Sequence, residues 1–463
     1  MRAFIFGVST LSILASHGAL AQDPDLSMTI YGDGRALVRD VRDVQFTLGR
    51  NTVVLPGVSS QINAPSATFV ADDIDIVEQN FDYDLLTPAK LMQKSVGQTV
   101  TLIRTNPGTG AETREKAKVL AVNDGVVVQI GRKVEVLRDD NLPTRVIFDG
   151  VPENLRANPT LSVNVTSRRP GRRKAELTYL TGGLNWRADY VVLFDEKAHK
   201  MDLQGWATLT NHTKTTFKNA AVGLIAGKVG NANNRNRYNQ YNYSRNQVRA
   251  GGVEANPRER IGDNYLYPLP GRTTLASNQT KQVGFVDARN VDAKKVYEYR
   301  HYGFNTNSEP QNVDVRVAFS NSKASGLGEA LPKGIIRVYT KDQKGQAQFI
   351  GEDNIPHIAG GSDISLKIGE AFDVTARPIL KSNTRVSKRK TDHEMQYIVR
   401  NAKKEDVDVL ITQKLWGWNT TYKVLDESIK STMPDAWSRQ WKVRVPAEGE
   451  TTLTFKIRET RPW

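Results

Sequence analysis

Apolar side chains recur at every second position in segment after segment of this chain, and that period limits what it can fold into. Val313, Val315, Val317 and Phe319 alternate with Asp314, Arg316 and Ala318, and Ile364, Leu366 and Ile368 alternate with Ser365 and Lys367. Val407, Val409 and Ile411 follow the same rule, as do Leu453, Phe455 and Ile457 near the end. A two-residue period sends one face of a strand into a core and the other into water, the habit of antiparallel sheets. Gly, Asn, Pro and Asp interrupt these runs repeatedly, as sandwiches and barrels require. The expected fold is mainly β, with antiparallel β-sandwich domains.

Helical periodicity is scarce. The best helix is short: Thr87 as N-cap, Pro88 at the first position, then Ala89 to Lys94. It introduces Gly97 to Leu137, where alternation is broken by Asn-Pro-Gly and by Asn123-Asp124-Gly125. Four or five short strands with tight turns predict an inserted small SH3-like β-barrel over residues 85–144. It separates an N-terminal β region (22–84) from a larger β-sandwich region (145–463). Within the latter, residues 230–260 hold almost no aliphatic side chains and many Asn and Arg, the composition of a disordered loop.

The start of the chain addresses the compartment. Arg2, an apolar run from Ala3 to Ala15, and Ala19-Leu20-Ala21 ahead of Gln22 make the pattern of a cleaved signal peptide over residues 1–21. The run is shorter than the roughly 20 apolar residues of a membrane span. A periplasmic, cell-surface or secreted location follows. The chain has no cysteine, so disulfides, thiolate metal sites and thiol nucleophiles are excluded. Its formal net charge is +14, and Arg2 is the one charged residue before Gln22. Such a surface favours polyanions or serves solubility alone.

Two cationic segments are the candidate ligand sites. Arg168, Arg169, Arg172, Arg173 and Lys174 sit at a hairpin tip, either gripping phosphates and carboxylates or forming a solvated turn. Arg235, Arg237, Tyr238, Tyr241, Tyr243 and Arg245 interleave cations with aromatic rings. That combination stacks and neutralises single-stranded nucleic acid, but export makes nucleic acid an improbable partner, and a loop without a ligand is the bland reading. The six histidines are scattered, and Asp392-His393-Glu394 lacks a second histidine one helical turn on, so no metal site and no cofactor are expected. Acidic turns such as Asp72-Asp73-Ile74-Asp75 are a weak calcium signal. No G-x-S-x-G elbow and no S-x-x-K set occur. Trp186, Trp206, Trp416, Trp418, Trp437 and Trp441 lie in or beside strands, so burial is the favoured reading and a sugar-stacking platform the other.

Certain blocks resemble a known family. YLTGGLNWRADYVV and LQGWATLTNHTKTTFKNAAVGLIAG, the stretch from Asn321 to Ala376, YIVRN (Tyr397 to Asn401) and WKVRVPAEGETTLTFKIRE are similar to domain-of-unknown-function family 4139, over roughly residues 150–463. The G-L-G-x-x-L-P-x-G and L-x-x-G-x-A-F-D patterns are its most specific parts. Some relatives, described as mucoidy inhibitor A-like, carry a long coiled coil where this chain has Gly97 to Leu137. The resemblance implies an exported β-rich protein of unassigned activity, with no catalytic residues to carry over.

The expected function is a non-enzymatic binding or scaffold module of the cell envelope, contacting anionic polysaccharide, lipid headgroups or an envelope protein. A glycan hydrolase with fold-assembled carboxylates and an assembly subunit pairing through strand edges are the alternatives.

Overall fold

The computed structural model describes residues 25–82, 86–123, 125–137, 144–152, 155–227, 230, 259–417 and 419–461. The expected signal peptide lies outside them. The chain opens with β1 (Asp25–Tyr31), β2 (Arg35–Phe46), β3 (Gly49–Pro56), β4 (Thr68–Ala71) and β5 (Ile74–Asp82). Then come α1 (Pro88–Lys94), β6 (Thr99–Thr105), β7 (Glu112–Val122), β8 (Val126–Ile130), β9 (Lys133–Leu137) and β10 (Thr144–Ile147). The central part contains β11 (Thr160–Ser167), β12 (Gly171–Gly182), β13 (Leu184–Asp195), β14 (Lys200–Asn211), β15 (Phe217–Ala226), β16 (Arg260–Ile261) and β17 (Asn264–Leu275). Next are β18 (Gln279–Tyr302), β19 (Gln311–Ser320), β20 (Gly334–Lys341), β21 (Ala347–Ile355), β22 (Asp363–Arg385) and β23 (Lys390–Asn401). The chain closes with β24 (Val407–Lys414), β25 (Thr421–Glu427), β26 (Thr432–Asp435), β27 (Ser438–Val445) and β28 (Gly449–Thr460).

The chain is mainly β, as the alternation predicts, and its sheets are mostly antiparallel. Parallel pairing occurs where distant segments meet: β1 with β15, β13 with β20, and β18 with β24. One sheet runs β16-β17-β15-β1-β2-β12-β4 and a second β3-β11-β5. A third, with the path β21-β20-β13-β14-β18-β19-β22-β23-β28-β25, has β24, β26 and β27 branching from β18. These sheets enclose two separate cores. The first joins residues as far apart in sequence as Ile30, Leu161, Leu203 and Leu366; the second gathers Tyr397, Trp441, Val443, Phe455 and their neighbours.

Two long strands pass from one core to the other. β18 pairs with β14 through Gln279 to Asp292, then with β19 and β24 from Ala293 onward. β22 pairs first with β19 and then with β23. A strand of 24 residues spans about 80 Å at the usual rise, long enough to serve two cores in turn.

The family-like blocks have structural tasks. The hydroxyls of Tyr190 on β13 and Tyr267 on β17 donate to the carbonyls of Pro332 (2.8 Å) and Ala330 (2.9 Å), holding the segment that follows Gly-Leu-Gly against these two strands. A Cβ at Gly334 would meet the Ala188 carbonyl oxygen at 2.3 Å, so only glycine fits there. Buried Asn211, Asn321 and Asn401 each donate to carbonyls of the loop beyond their strand. Each thereby satisfies backbone that a sheet ladder leaves unpaired.

The segment expected as an insertion forms its own sheet, β10-β6-β7-β8-β9. Thr87 Oγ1 accepts from Lys90 N (3.2 Å), the expected cap of α1, and Met92 packs with Val100, Leu102 and Val119 in a third small core. Arg104 on β6 and Glu135 on β9 are 2.6 Å apart although two strands lie between them in the sheet.

Candidate functional site

The β11–β12 hairpin brings together all five cations of the first candidate cluster. β5 pairs with β11 in register Asp75↔Thr166 and Ile74↔Ser167, which lays the β4–β5 turn beside the hairpin tip. Arg168 then meets Asp75 (2.6 Å) and Arg169 meets Asp73 (2.6 Å). Two acids of that expected calcium turn, Asp73 and Asp75, are therefore arginine partners. Arg173 turns inward: its guanidinium donates to Arg169 O (3.0 Å) and Ser167 Oγ (2.7 Å) and lies 4.7 Å from the ring centre of Phe46. It closes the corner between the two sheets through hydrogen bonds and cation–π contact.

Arg172 and Lys174 remain. Two residues apart on β12, they share its outer face, both exposed, opposite Gln45 and Asp43 of β2. Among the described residues neither makes an ion pair. On the far side of β2, an open cleft of about 320 Å³ separates Arg42–Gln45 from Asn51–Leu55 of β3. β1 pairs with β2 only as far as Val41, and β3 pairs with β11 alone, so two strand edges without ladder partners flank this cleft among the described residues. The second cluster, Arg235, Arg237, Tyr238, Tyr241, Tyr243 and Arg245, lies outside the described residues.

Elsewhere the fold ties its buried acids to arginine. Asp40 meets Arg42, Asp189 meets Arg187 and Arg337, and Asp392 meets Arg458. Glu459 lies between Arg461 and His393, whose ring stacks on Phe304 at 4.0 Å between centres. Deepest is Glu298, 2.7 Å from Arg300 and 3.5 Å from Arg316, and accepting from Thr412 Oγ1 (2.9 Å). Burial pushes its carboxyl up, but the hydrogen bond and charge of Arg300, the Thr412 hydroxyl and the Arg316 charge outweigh that and hold it below the ordinary range. Burial lowers the His301 imidazole below its ordinary value, against its hydrogen bonding to Asn305. Among the described residues no three His, Asp or Glu side chains converge as a metal site.

Tryptophan burial divides. Trp441 is fully buried and stacks on Phe455 at 4.2 Å, and Trp186 is buried with its indole N–H donating to Ile225 O (3.1 Å). Trp206, Trp416 and Trp437 are exposed, against the expectation, and Trp418 lies outside the described residues. Trp416 and Trp437 stand just beyond the strands, where alternation no longer dictates a facing core. Sequence reasoning missed that they share one end of a sheet with exposed Tyr302; the strand boundaries at Lys414 and Ser438 were the available signal.

No family model matches the chain, and no curated protein matches it. No helix among the described residues is long and apolar enough to cross a membrane.

Proposed function

We propose that the chain is an exported, non-enzymatic β scaffold of the cell envelope that holds anionic polysaccharide or lipid headgroups at the β11–β12 hairpin. The observation that carries this reading is the division of labour among five adjacent cations. Arg168, Arg169 and Arg173 fix the tip, while Arg172 and Lys174 point outward without ion-pair partners among the described residues. A hairpin braced in this way presents two charges at a fixed spacing, which lowers the entropy lost on binding. Export rests on residues 1–21; amino-terminal sequencing of the mature protein should begin at Gln22. Lipopolysaccharide vesicles should retain the protein at low salt and release it at high salt, and Arg172→Glu/Lys174→Glu should abolish retention. A matched deletion of 231–256 reports whether that segment adds to it. Retention of the charge-swapped protein equal to wild type would overturn the hairpin reading.

The same reading takes the sheets as sandwiches and residues 150–463 as a relative of family 4139, whose quoted blocks here form strands and the loops that lock them. It takes β6–β10 as an SH3-like barrel, supported by the Arg104–Glu135 contact, which a curled sheet explains better than a flat one. A second reading, assembly through strand addition, is favoured by the facing open edges of β2 and β3. Light scattering during size-exclusion separates it: a defined oligomer disrupted by Val54→Pro supports assembly, and a monomer removes it.

A further inference from the structure

The open edge of β2 begins where β1 begins. The two strands pair antiparallel from Ile30↔Ala36 to Asp25↔Val41, and the pairing stops at Asp25, the first described residue. β12 covers the opposite edge of β2 along its whole length, from Gly182↔Arg35 to Gly171↔Phe46. Arg42 to Gln45 are therefore paired on one side only among the described residues. These same residues line the cleft whose other wall is Asn51 to Leu55 of β3. Carried on residue by residue, the β1–β2 register sets position 24 against Arg42, 23 against Asp43 and 22 against Val44.

Gln22-Asp23-Pro24 lie outside the described residues, but their chemistry suits this edge. The Leu26 carbonyl accepts from Arg272 of β17 (2.8 Å), on the side away from β2 in the strand order β17-β15-β1-β2. Backbone direction alternates along a strand, so positions 25 and 23 face β2 and position 24 faces away. Pro24 thus lacks an N–H only where β2 requires none. Asp23 comes opposite Asp43, which is exposed and has Lys174 across β2 on its other side. Two carboxylates set opposite one another repel. A free α-ammonium on Gln22, one residue along, offsets that repulsion, and it exists only after cleavage ahead of Gln22.

We propose that the amino terminus released by cleavage, Gln22-Asp23-Pro24, continues β1 along β2 and fills this cleft, closing an edge that the precursor leaves open. The inference rests on the export reading for the position of the new terminus. It puts the chain's own segment where the assembly reading puts a second copy. An unpaired edge is a template for another chain, so removal of the leader doubles as protection against strand addition at β2.

Hydrogen exchange resolved at the Asp43 amide tests it, on the whole chain prepared to begin at Gln22 and, separately, at Asp25. The Asp43 N–H faces the cleft and should exchange at least tenfold more slowly in the Gln22 form. The Arg42 N–H, directed at β12, should be equal in both. Should the shorter chain unfold more readily, Asp23→Pro in the Gln22 form, which removes an N–H facing β2, must still speed exchange at Asp43. Equal exchange at Asp43 in the two forms overturns the proposal. Protection in both forms of a chain that light scattering shows to be a dimer also overturns it, because a second copy then holds the edge. Sequencing of the exported protein tests the export reading separately: a terminus other than Gln22 overturns that reading, while the exchange difference alone decides the docking.

Discussion

The β11–β12 hairpin and the interior around Glu298 both set arginines against carboxylates, in opposite surroundings. At the hairpin the partners Arg168–Asp75 and Arg169–Asp73 are more than a third exposed on both sides. Water screens such pairs, and their net contribution to stability is small. Around Glu298 the side chains of Glu298 and Arg316 are each 3% exposed, so neither can be resolvated without opening the sheet. The same chemistry is therefore exchangeable in one place and locked in the other. Beside the exposed pairs of the hairpin, Arg172 and Lys174 stand exposed without ion-pair partners among the described residues, which is why the functional proposal falls there.

The largest test of that contrast is Glu298→Gln. It leaves Arg316 buried with its charge poorly compensated, and urea unfolding should show a loss of about 3–5 kcal/mol; a loss near zero would mean that the interior pair is solvated after all. A smaller effect comes from His301. Its folded-state imidazole titrates below the ordinary 6.5, so as pH falls through 6.5 the unfolded chain takes up protons that the folded chain refuses. Stability should decline from pH 7 toward pH 5, and His301→Gln should flatten that slope. Glu298 acts in the same direction at lower pH: its depressed carboxyl stabilises the fold above 4.5, and the contribution is lost as pH falls below that value. The smallest stability effect belongs to the hairpin. Asp73→Ala/Asp75→Ala should leave the thermal midpoint nearly unmoved, yet it frees Arg168 and Arg169 and should strengthen retention on dextran sulfate. A large drop in midpoint would erase the distinction between the two regions.

How far these features could be read in the sequence depends on the range of the interaction. Alternation over 313–319 and 453–457 locates β19 and β28, and Thr87-Pro88 locates α1, because period and capping are local properties. The hairpin's cations are equally visible as a cluster. Their partners are not, since Asp73 and Asp75 lie more than ninety residues away and arrive through the β5–β11 register. The two-core path of β18 is hidden for the same reason: its own residues say nothing about which partner takes over at Ala293. Exposure of Trp416 and Trp437 was misjudged because residue type alone favours burial, whereas position beyond a strand end decides it.

The account stands most directly on which cations of the hairpin are available. Dextran sulfate affinity, read as the salt concentration of elution, should be compared for wild type, Arg172→Ala/Lys174→Ala and Arg168→Ala/Arg169→Ala. Earlier elution of the first double variant, with the second close to wild type, is the predicted result. The reverse order, or three identical elution points, would contradict it.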